Sequence, residues 1–556
     1  MRVADYIANF LYSRGVRNVF LLSGTGSIHL DDAFAFQSGM KYYTARHEGA
    51  AVVMAEGAAK LSGEIGVVVT TTGPGGTNAF SGVVEAWVDS VPVFVISGQV
   101  SVREVSLKSR SFGLQGFNII DHVKGVTKYA YLVTDPKTIR YHLEKAFSLA
   151  CSGRPGPVWL DIPSDVQAYE IEVDSLVGYI PDPIPTENND WKISVRNSID
   201  FLIKAKRPLV VIGQGIRQSN AIQEFIELME KLKIPVISSR LGQDILPDAH
   251  QLYFNQGGLM GHRHTFGIMS NCDLVFSFGC SMSDAFIGAD AGFFSPNTKF
   301  IRIDKDLSDI NKLGDRILQS INQDLKEVLI FLLEILEKTK LPLWTEWLGN
   351  CRRHKLLRPV ILPENRKNPI NSYCFLERLD FASRSHHVFV SDAGGTYYIA
   401  GQVLKFNKGQ RELTSGAFAS MGMTLPLAIG AAVCSKDSQI LALTGDGSIE
   451  LNIQELRTIS QYQLNIKVFV INNGGYASIR ASQDASCGGR YTDDQNVLDF
   501  KKVADAFDLP YKILENYDTL DKELPIILEI KGPALVEVVC DSNQQMVKFE
   551  HEEMPQ

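Results

Sequence analysis

A single aspartate stands between two glycines in TGDGS (444–448), and two adjacent asparagines end the apolar run IKVFVINN that closes at Asn473. Neither Gly445 nor Gly447 carries a side chain, so a ligand can approach the backbone around Asp446 closely. Asn473 follows Asp446 by 27 residues, with a helical pattern between them. Strand, helix and strand at that spacing predict a parallel pair whose carboxyl ends lie side by side, bringing Asp446 and Asn473 together. One carboxylate, one amide oxygen and a nearby backbone carbonyl form a hard-oxygen set suited to Mg²⁺ and, through the metal, to a diphosphate. GDG alone is equally an ordinary turn; the combination with the asparagine pair points to a metal.

A second candidate lies in TARHEGAAVVMAEGAAKLSG (44–63), where Glu48 opens an Ala-rich helix. Small neighbours pack closely and leave the carboxyl few polar partners, which favours its protonated form. A carboxyl group held that way can hydrogen-bond a ring nitrogen. Alone, the same glutamate is also a favourable helix-start charge. The segment TTTGPGGTNAFSG (70–82) adds a Gly-rich turn before another helix, which by itself suits any phosphate loop.

These residues need sheets to position them. Short apolar runs at 65–70, 91–96 and 158–162 alternate with helical patterns, as they do in RPLVVIGQG, IPVISS, DLVFSFG and FIRIDKD, and again in VFVSDAGG, ILALTGDGS, IKVFVINNGG and ALVEVVCD. That alternation predicts parallel sheets with crossover helices. The expected fold is α/β, with three doubly wound domains at 1–170, 190–340 and 370–556, and GYIPDPIPTENND (178–190) as a linker. Over 556 residues, 45% apolar and 21% charged, the net charge is −8 and no long basic run occurs, which argues against nucleic-acid and membrane-surface roles. The eight cysteines form no CxxC pair, no apolar run reaches the roughly 18 residues of a membrane span, and the N-terminus lacks a signal-peptide core. A cytoplasmic protein is expected.

Together RHEGAAVVMAEGAAKLSG, TTGPGGTNAFSG, GRPGPVWLDIPSDV, RPLVVIGQG, SGAFASMGMTLPLAIGAA and GDGS…NN resemble the thiamine-diphosphate enzymes of the acetolactate synthase and pyruvate decarboxylase group, in its order of pyrimidine-binding, central and diphosphate-binding domains. The resemblance implies that Asp446, the Asn473 side chain and the Gly475 carbonyl ligate Mg²⁺. It implies cofactor contacts from Gly73, Asn78, Gly445, Gly447 and Ser448. Glu48 matches the glutamate that protonates the aminopyrimidine, Met421 the apolar wedge that bends the cofactor, and Gln115 a glutamine beside the reacting centre. The implied reaction decarboxylates a 2-oxoacid, with pyruvate the expected donor, and hands the two-carbon unit to a carbonyl acceptor. Because the family's glutamate and metal site come from different subunits, a homodimer or a dimer of dimers is implied. A non-catalytic paralogue with a binding role would be expected to lose Glu48, Asp446 or Asn473, and all three are present.

The chain is most similar to acetolactate synthase large subunits, yet it departs from them where they grip the acceptor. Their Arg after the DLxxxxG strand aligns with Ser281, and their Trp nine residues past the metal-binding asparagine aligns with Ser482. A hydroxyl cannot replace a guanidinium's bidentate grip on a carboxylate. The acceptor expected here is a ketone or aldehyde other than a 2-oxoacid, with the ketone of a nucleotide-linked deoxy-sugar as one candidate and acetolactate synthesis as the alternative. Lys108, Arg110, Arg480 and Arg490 either border the site and suit a phosphate-bearing acceptor, or are ordinary solvated charges. The central domain carries only a partial match, GGLMGHRHT (257–265), to the family's flavin-binding segments, leaving FAD, an adenine nucleotide or no ligand open there.

Overall fold

The computed structural model describes residues 1–105, 109–181, 190–306, 311–492 and 497–547. Eighteen strands form three six-stranded sheets, and every strand pair in them is parallel. The N-terminal sheet holds β1 (Asn18–Leu21), β2 (Lys41–Thr44), β3 (Gly66–Thr70), β4 (Val93–Gln99), β5 (Tyr129–Leu132) and β6 (Val158–Pro163) in the order 2-1-3-4-6-5. The central sheet holds β7 (Pro208–Ile212), β8 (Val236–Ser238), β9 (Tyr253–Gln256), β10 (Leu274–Phe278), β11 (Lys299–Ile303) and β12 (Ile317–Ile321) in the order 12-11-10-7-8-9. The C-terminal sheet holds β13 (His387–Ser391), β14 (Arg411–Thr414), β15 (Gln439–Gly445), β16 (Ile466–Asn472), β17 (Tyr511–Leu514) and β18 (Ala534–Val539) in the order 14-13-15-16-18-17. The three-domain α/β expectation is met.

Runs such as ILAL in β15 and VFVI in β16 are buried throughout, as strands covered by helices on both faces must be. Each sheet has a point near its middle where the winding reverses, and a crevice opens there outside the strand ends. The reversal falls between β1 and β3, between β7 and β10, and between β13 and β15. Register pairs Gly445 with Ile471, so Asp446 and the asparagine pair emerge side by side beyond the last of these sheets.

The N- and C-terminal domains meet where the helix Glu48–Ser62 crosses the helix Thr424–Cys434. Gly57 lies against Leu427 and Gly430 against Met54, so the two helices run antiparallel. A Cβ on Gly430 would stand 1.9 Å from the Met54 carbonyl oxygen, and one on Gly57 2.4 Å from the Leu427 carbonyl oxygen. The backbones touch, and apolar side chains of both domains merge around them into one core. Among the described residues no helix is long and apolar enough to cross a membrane.

The crossing makes a contrast testable. In Gly430→Ala the helix-propensity gain of about 1 kcal/mol is outweighed by overpacking of about 1–3 kcal/mol, so thermal melting should fall. Gly349→Ala sits in the helix Thr345–Leu357 with nothing within 4 Å of the new methyl, and its melting temperature should rise.

Candidate active site

Beyond β15 and β16 the chain closes a cavity of about 540 Å³. Asp446 lies at its base, 3% exposed, and is held by the chain itself. Its Oδ1 accepts from the Gly447 N–H at 2.8 Å, and its Oδ2 from the N–H groups of Asn473 at 3.0 Å and Gly475 at 2.8 Å. Burial pushes the carboxyl above the usual range, and those backbone donors work against the shift. The backbone bonds use most of the carboxylate's lone-pair directions and orient what remains. A hard cation would find there the Asp446 carboxylate beyond β15 and the Asn473 amide and Gly475 carbonyl beyond β16, a donor set that fits Mg²⁺.

The two asparagines separate in role. Asn472 turns to the neighbouring strand and donates to Glu537 at 2.6 Å, while Asn473 borders the cavity. Gly447 has no room for a side chain, because a Cβ would stand 2.6 Å from the Tyr476 ring. Gly445, Ser448 and Met421 also border the cavity. So do Gly394, Gly395 and Thr396 in the first turn of the helix Gly394–Val403, whose N–H groups and dipole suit phosphate oxygens.

Sequence reasoning missed Asp392. It is fully buried at the end of β13, where its Oδ2 accepts from Ser448 Oγ at 2.6 Å and the Gly422 N–H at 3.1 Å. One carboxylate thus ties the Met421 turn to the Asp446 turn. The signal was present in SDAGG, a strand-end aspartate before glycines like the one in TGDGS.

Glu48 stands at the other end of the helix pair. It is 6% exposed and its Oε2 accepts from Asn78 Nδ2 at 3.0 Å. The turn into its helix is fixed from the C-terminal domain, where buried Glu455 accepts the Arg46 N–H at 2.8 Å. Gly73 has φ +61°, and a Cβ there would stand 2.1 Å from the Gln115 carbonyl oxygen, so the Gln115 loop rests on the Gly-rich turn. Gln115 itself has φ +66° and is exposed. Glu48, Asn78, Gly73 and Gln115 are therefore one group and Met421, Asp446 and Asn473 another.

The three expected acceptor residues fall in different places. Arg480 does not face the cavity: it is 6% exposed, and its guanidinium donates to the carbonyls of Gly474 at 2.7 Å and Asn473 at 2.9 Å. The loop's carbonyls, orphaned where the strand ends, recruit the nearest cation. Ser281 borders a different cavity of about 430 Å³ at the β7–β10 reversal, because β10 ends in the central sheet. Ser482 does border the Asp446 cavity, with its hydroxyl donating to the Ser478 carbonyl at 3.0 Å. Arg490 pairs with Asp484 at 2.8 Å, Arg110 is exposed, and Lys108 lies outside the described residues. Since Arg480 shapes the loop that carries Asn473 and Gly475, Arg480→Met should raise the half-saturating Mg²⁺ concentration about ten-fold, as loss of a charged hydrogen bond predicts, with a melting temperature close to wild type; a Mg²⁺ titration of activity checks this.

Comparison with known proteins agrees with this architecture. Residues 1–124 match the family description "Thiamine pyrophosphate enzyme, N-terminal TPP binding domain", residues 195–349 its central domain and residues 392–538 its C-terminal TPP binding domain. The acetolactate synthase isozyme 3 large subunit of Escherichia coli (strain K12) is 31% identical over 520 residues, 91% of this chain and 88% of that one. The isozyme 1 large subunit of the same organism is 29% identical over 548 residues, 98% and 94% of the two chains. The acetolactate synthase large subunit of Lactococcus lactis subsp. lactis (strain IL1403) is 30% identical over 557 residues, 98% and 93%. The chain belongs to the thiamine pyrophosphate enzyme family, in the branch represented by acetolactate synthase large subunits, and is a thiamine-diphosphate-dependent enzyme of the carboligase and decarboxylase type.

Proposed function

We propose that this enzyme decarboxylates a 2-oxoacid, with pyruvate the expected donor, and transfers the two-carbon acyl unit to a ketone or aldehyde that is not itself a 2-oxoacid. When bound, thiamine diphosphate supplies the carbon nucleophile and the electron sink that such chemistry needs. Asp446, Asn473 and the Gly475 carbonyl hold Mg²⁺ and through it the diphosphate, with the N-terminus of the helix Gly394–Val403 on the phosphate oxygens. Met421 supports the cofactor between its two rings. Glu48 would hold a proton for the aminopyrimidine nitrogen, and Gln115 would line the space in which the 2-oxoacid reacts. The side chains of Leu259, Met260 and Met546 border the same space and exclude water from it.

The acceptor reading rests on one observation, made on the half of the site that carries Asp446: among the described residues of that chain no lysine or arginine borders the cavity. From the helix Ala477–Ser486 it receives only alanines and serines, at 477, 478, 481, 482, 485 and 486. A carboxylate beside the acceptor carbonyl would lose its hydration there with no cation in return. A neutral, hydroxyl-bearing carbonyl compound suits that lining, and the ketone of a nucleotide-linked deoxy-sugar belongs to this class. With Arg480 turned away, the phosphates of such an acceptor would lie outside the cavity. Acetolactate synthesis is the second reading, favoured by the relatives' names. The cavity at the β7–β10 reversal suits an adenine nucleotide or FAD. Gly213 and Gly279 pack backbone to backbone there, and two buried polar atoms on its wall, Gln256 Oε1 and Arg240 Nε, have no partner.

A second copy of the chain is part of the proposal. The helix Glu48–Ser62 is 15 residues long, about 22 Å at the usual rise. In the antiparallel pair Glu48 lies towards the Cys434 end of its partner helix, and Met421 precedes the opposite end. The face beside Asn78 also exposes Phe80 and Trp87, about two helical turns apart, as an apolar surface awaiting a partner would. Glu48 of one subunit then serves the Asp446 of its partner.

Two outcomes follow. Pyruvate supplied with a panel of acceptors should give a mass-identified adduct with a neutral keto-compound, and efficient acetolactate formation from pyruvate alone would reject this acceptor class. Co-expressed Glu48→Gln and Asp446→Ala chains should recover about a quarter of wild-type activity, because half of randomly paired dimers carry one intact site. No recovery means that each site is built from one chain.

A further inference from the structure

Four charged side chains of the N-terminal domain converge on the segment Thr414–Ser420 that leads into Met421. Lys60 Nζ donates to the Thr414 carbonyl at 2.7 Å and pairs with both Glu56 and Asp89 at 2.6 Å. Asp89 accepts the Gly416 N–H at 2.8 Å and the Ala417 N–H at 3.2 Å. Glu85 Oε2 accepts from Ser415 Oγ at 2.9 Å, and the same hydroxyl oxygen accepts the Ser420 N–H at 3.1 Å. Gly416 is required, since a Cβ there would stand 2.5 Å from Asp89 Oδ1. On the far side of Met421 the Gly422 N–H is held by Asp392 and Ser448. Met421 is thus suspended between two anchors, one in each domain.

Two features mark this as more than an interdomain contact. Ala419 has φ +48°, a conformation that a residue with a side chain keeps only when its surroundings impose it. The cluster also sets three buried carboxyl groups against one ammonium, which is a poor source of stability compared with packed hydrocarbon. Burial pushes the Glu85 and Glu56 carboxyls up. Although burial acts to lower it, Asp89 and Glu56 hold the Lys60 ammonium above its ordinary range. Directional bonds to the segment's backbone are what hydrocarbon could not supply. Four of its residues, Gly416–Ala419, also border the cavity at the β7–β10 reversal.

We propose that Lys60, Glu85 and Asp89 are positioning residues that fix Met421 from the neighbouring domain of the same chain, holding the Ala419 turn in its strained form. This rests on the reading of Met421 as the cofactor's support. Asp89→Asn puts an amide N–H against the Gly416 or Ala417 N–H, and Ser415→Ala removes the hydroxyl that joins Glu85 to the Ser420 N–H while leaving every ion pair intact. In both full-length variants hydrogen–deuterium exchange should rise in peptides covering 414–423 and nowhere else. Thiamine diphosphate binding, measured by calorimetry, should weaken about ten-fold, the scale of one charged hydrogen bond, and kcat should fall with the 2-oxoacid KM near wild type. Ala419→Gly, which relieves the strain, should restore part of the kcat lost in Ser415→Ala. Arg217→Met breaks a pair with Asp244 inside the central domain, beside the point where Asp244 also meets Arg411 of the C-terminal domain, and should leave kcat unchanged. Wild-type exchange and kcat in both Asp89→Asn and Ser415→Ala, or an equal loss in Arg217→Met, overturns the proposal while leaving the cofactor reading intact. Wild-type protein that binds no thiamine diphosphate overturns the cofactor reading, and Met421's role with it.

Discussion

The contact on which the rest depends is a crossing of two helices with nothing between their backbones. Gly57 and Gly430 remove the side chains that would keep the helices Glu48–Ser62 and Thr424–Cys434 apart, and apolar side chains of two domains close around them. Each helix begins beside a group that the proposed reaction uses, Glu48 in one and the Met421 turn just before the other. Because the pair is antiparallel, the crossing that joins the domains also carries these two groups to opposite ends. The proposed arrangement, in which one chain presents two half-sites facing different ways, rests on that rigid core.

Around that contact the same sheet construction is used three times, to different ends. The N- and C-terminal sheets share one strand order, and their winding reversals present a Gly-rich turn with Glu48 and Asn78 nearby in one case and the Asp392, Asp446 and Asn473 cluster in the other. The central sheet winds differently and opens its own cavity at Gly213 and Gly279. Leu259 and Met260 border both this cavity and the one holding Asp446, so the two ligand spaces share a wall. Ion pairs at the edge of that wall, Arg240 with Glu412 and Asp244 with Arg411, hold the central domain against the C-terminal one.

Charges were the least legible part of the sequence. Arg480 is visible as a cation near a ligand loop, but whether it meets substrate or caps carbonyls depends on which side of the loop the helix Ala477–Ser486 leaves it. Glu56 and Lys60, four apart in a helix, look like an ordinary solvated pair, yet a second domain covers them and adds Asp89. Ser281 follows its strand as an acceptor residue would, but that strand belongs to a different sheet and a different cavity. Asp392 escaped notice because its partners, Ser448 and Gly422, lie 56 and 30 residues away.

Local chemistry that repeats with strand and helix spacing could be read without coordinates. Apolar runs of strand length, helical patterns between them and small residues at strand ends define parallel sheets and the edges where ligands bind, because backbone geometry alone imposes those periods. Asp446 with Asn473 was legible for that reason. The direction of each side chain, the depth at which it lies and the domain it answers to were decided only by the packing of three sheets against one another. The reason is that burial and hydrogen-bond partners are long-range properties: Asp89 meets Gly416 across 327 residues, and nothing in the sequence near either one records the other.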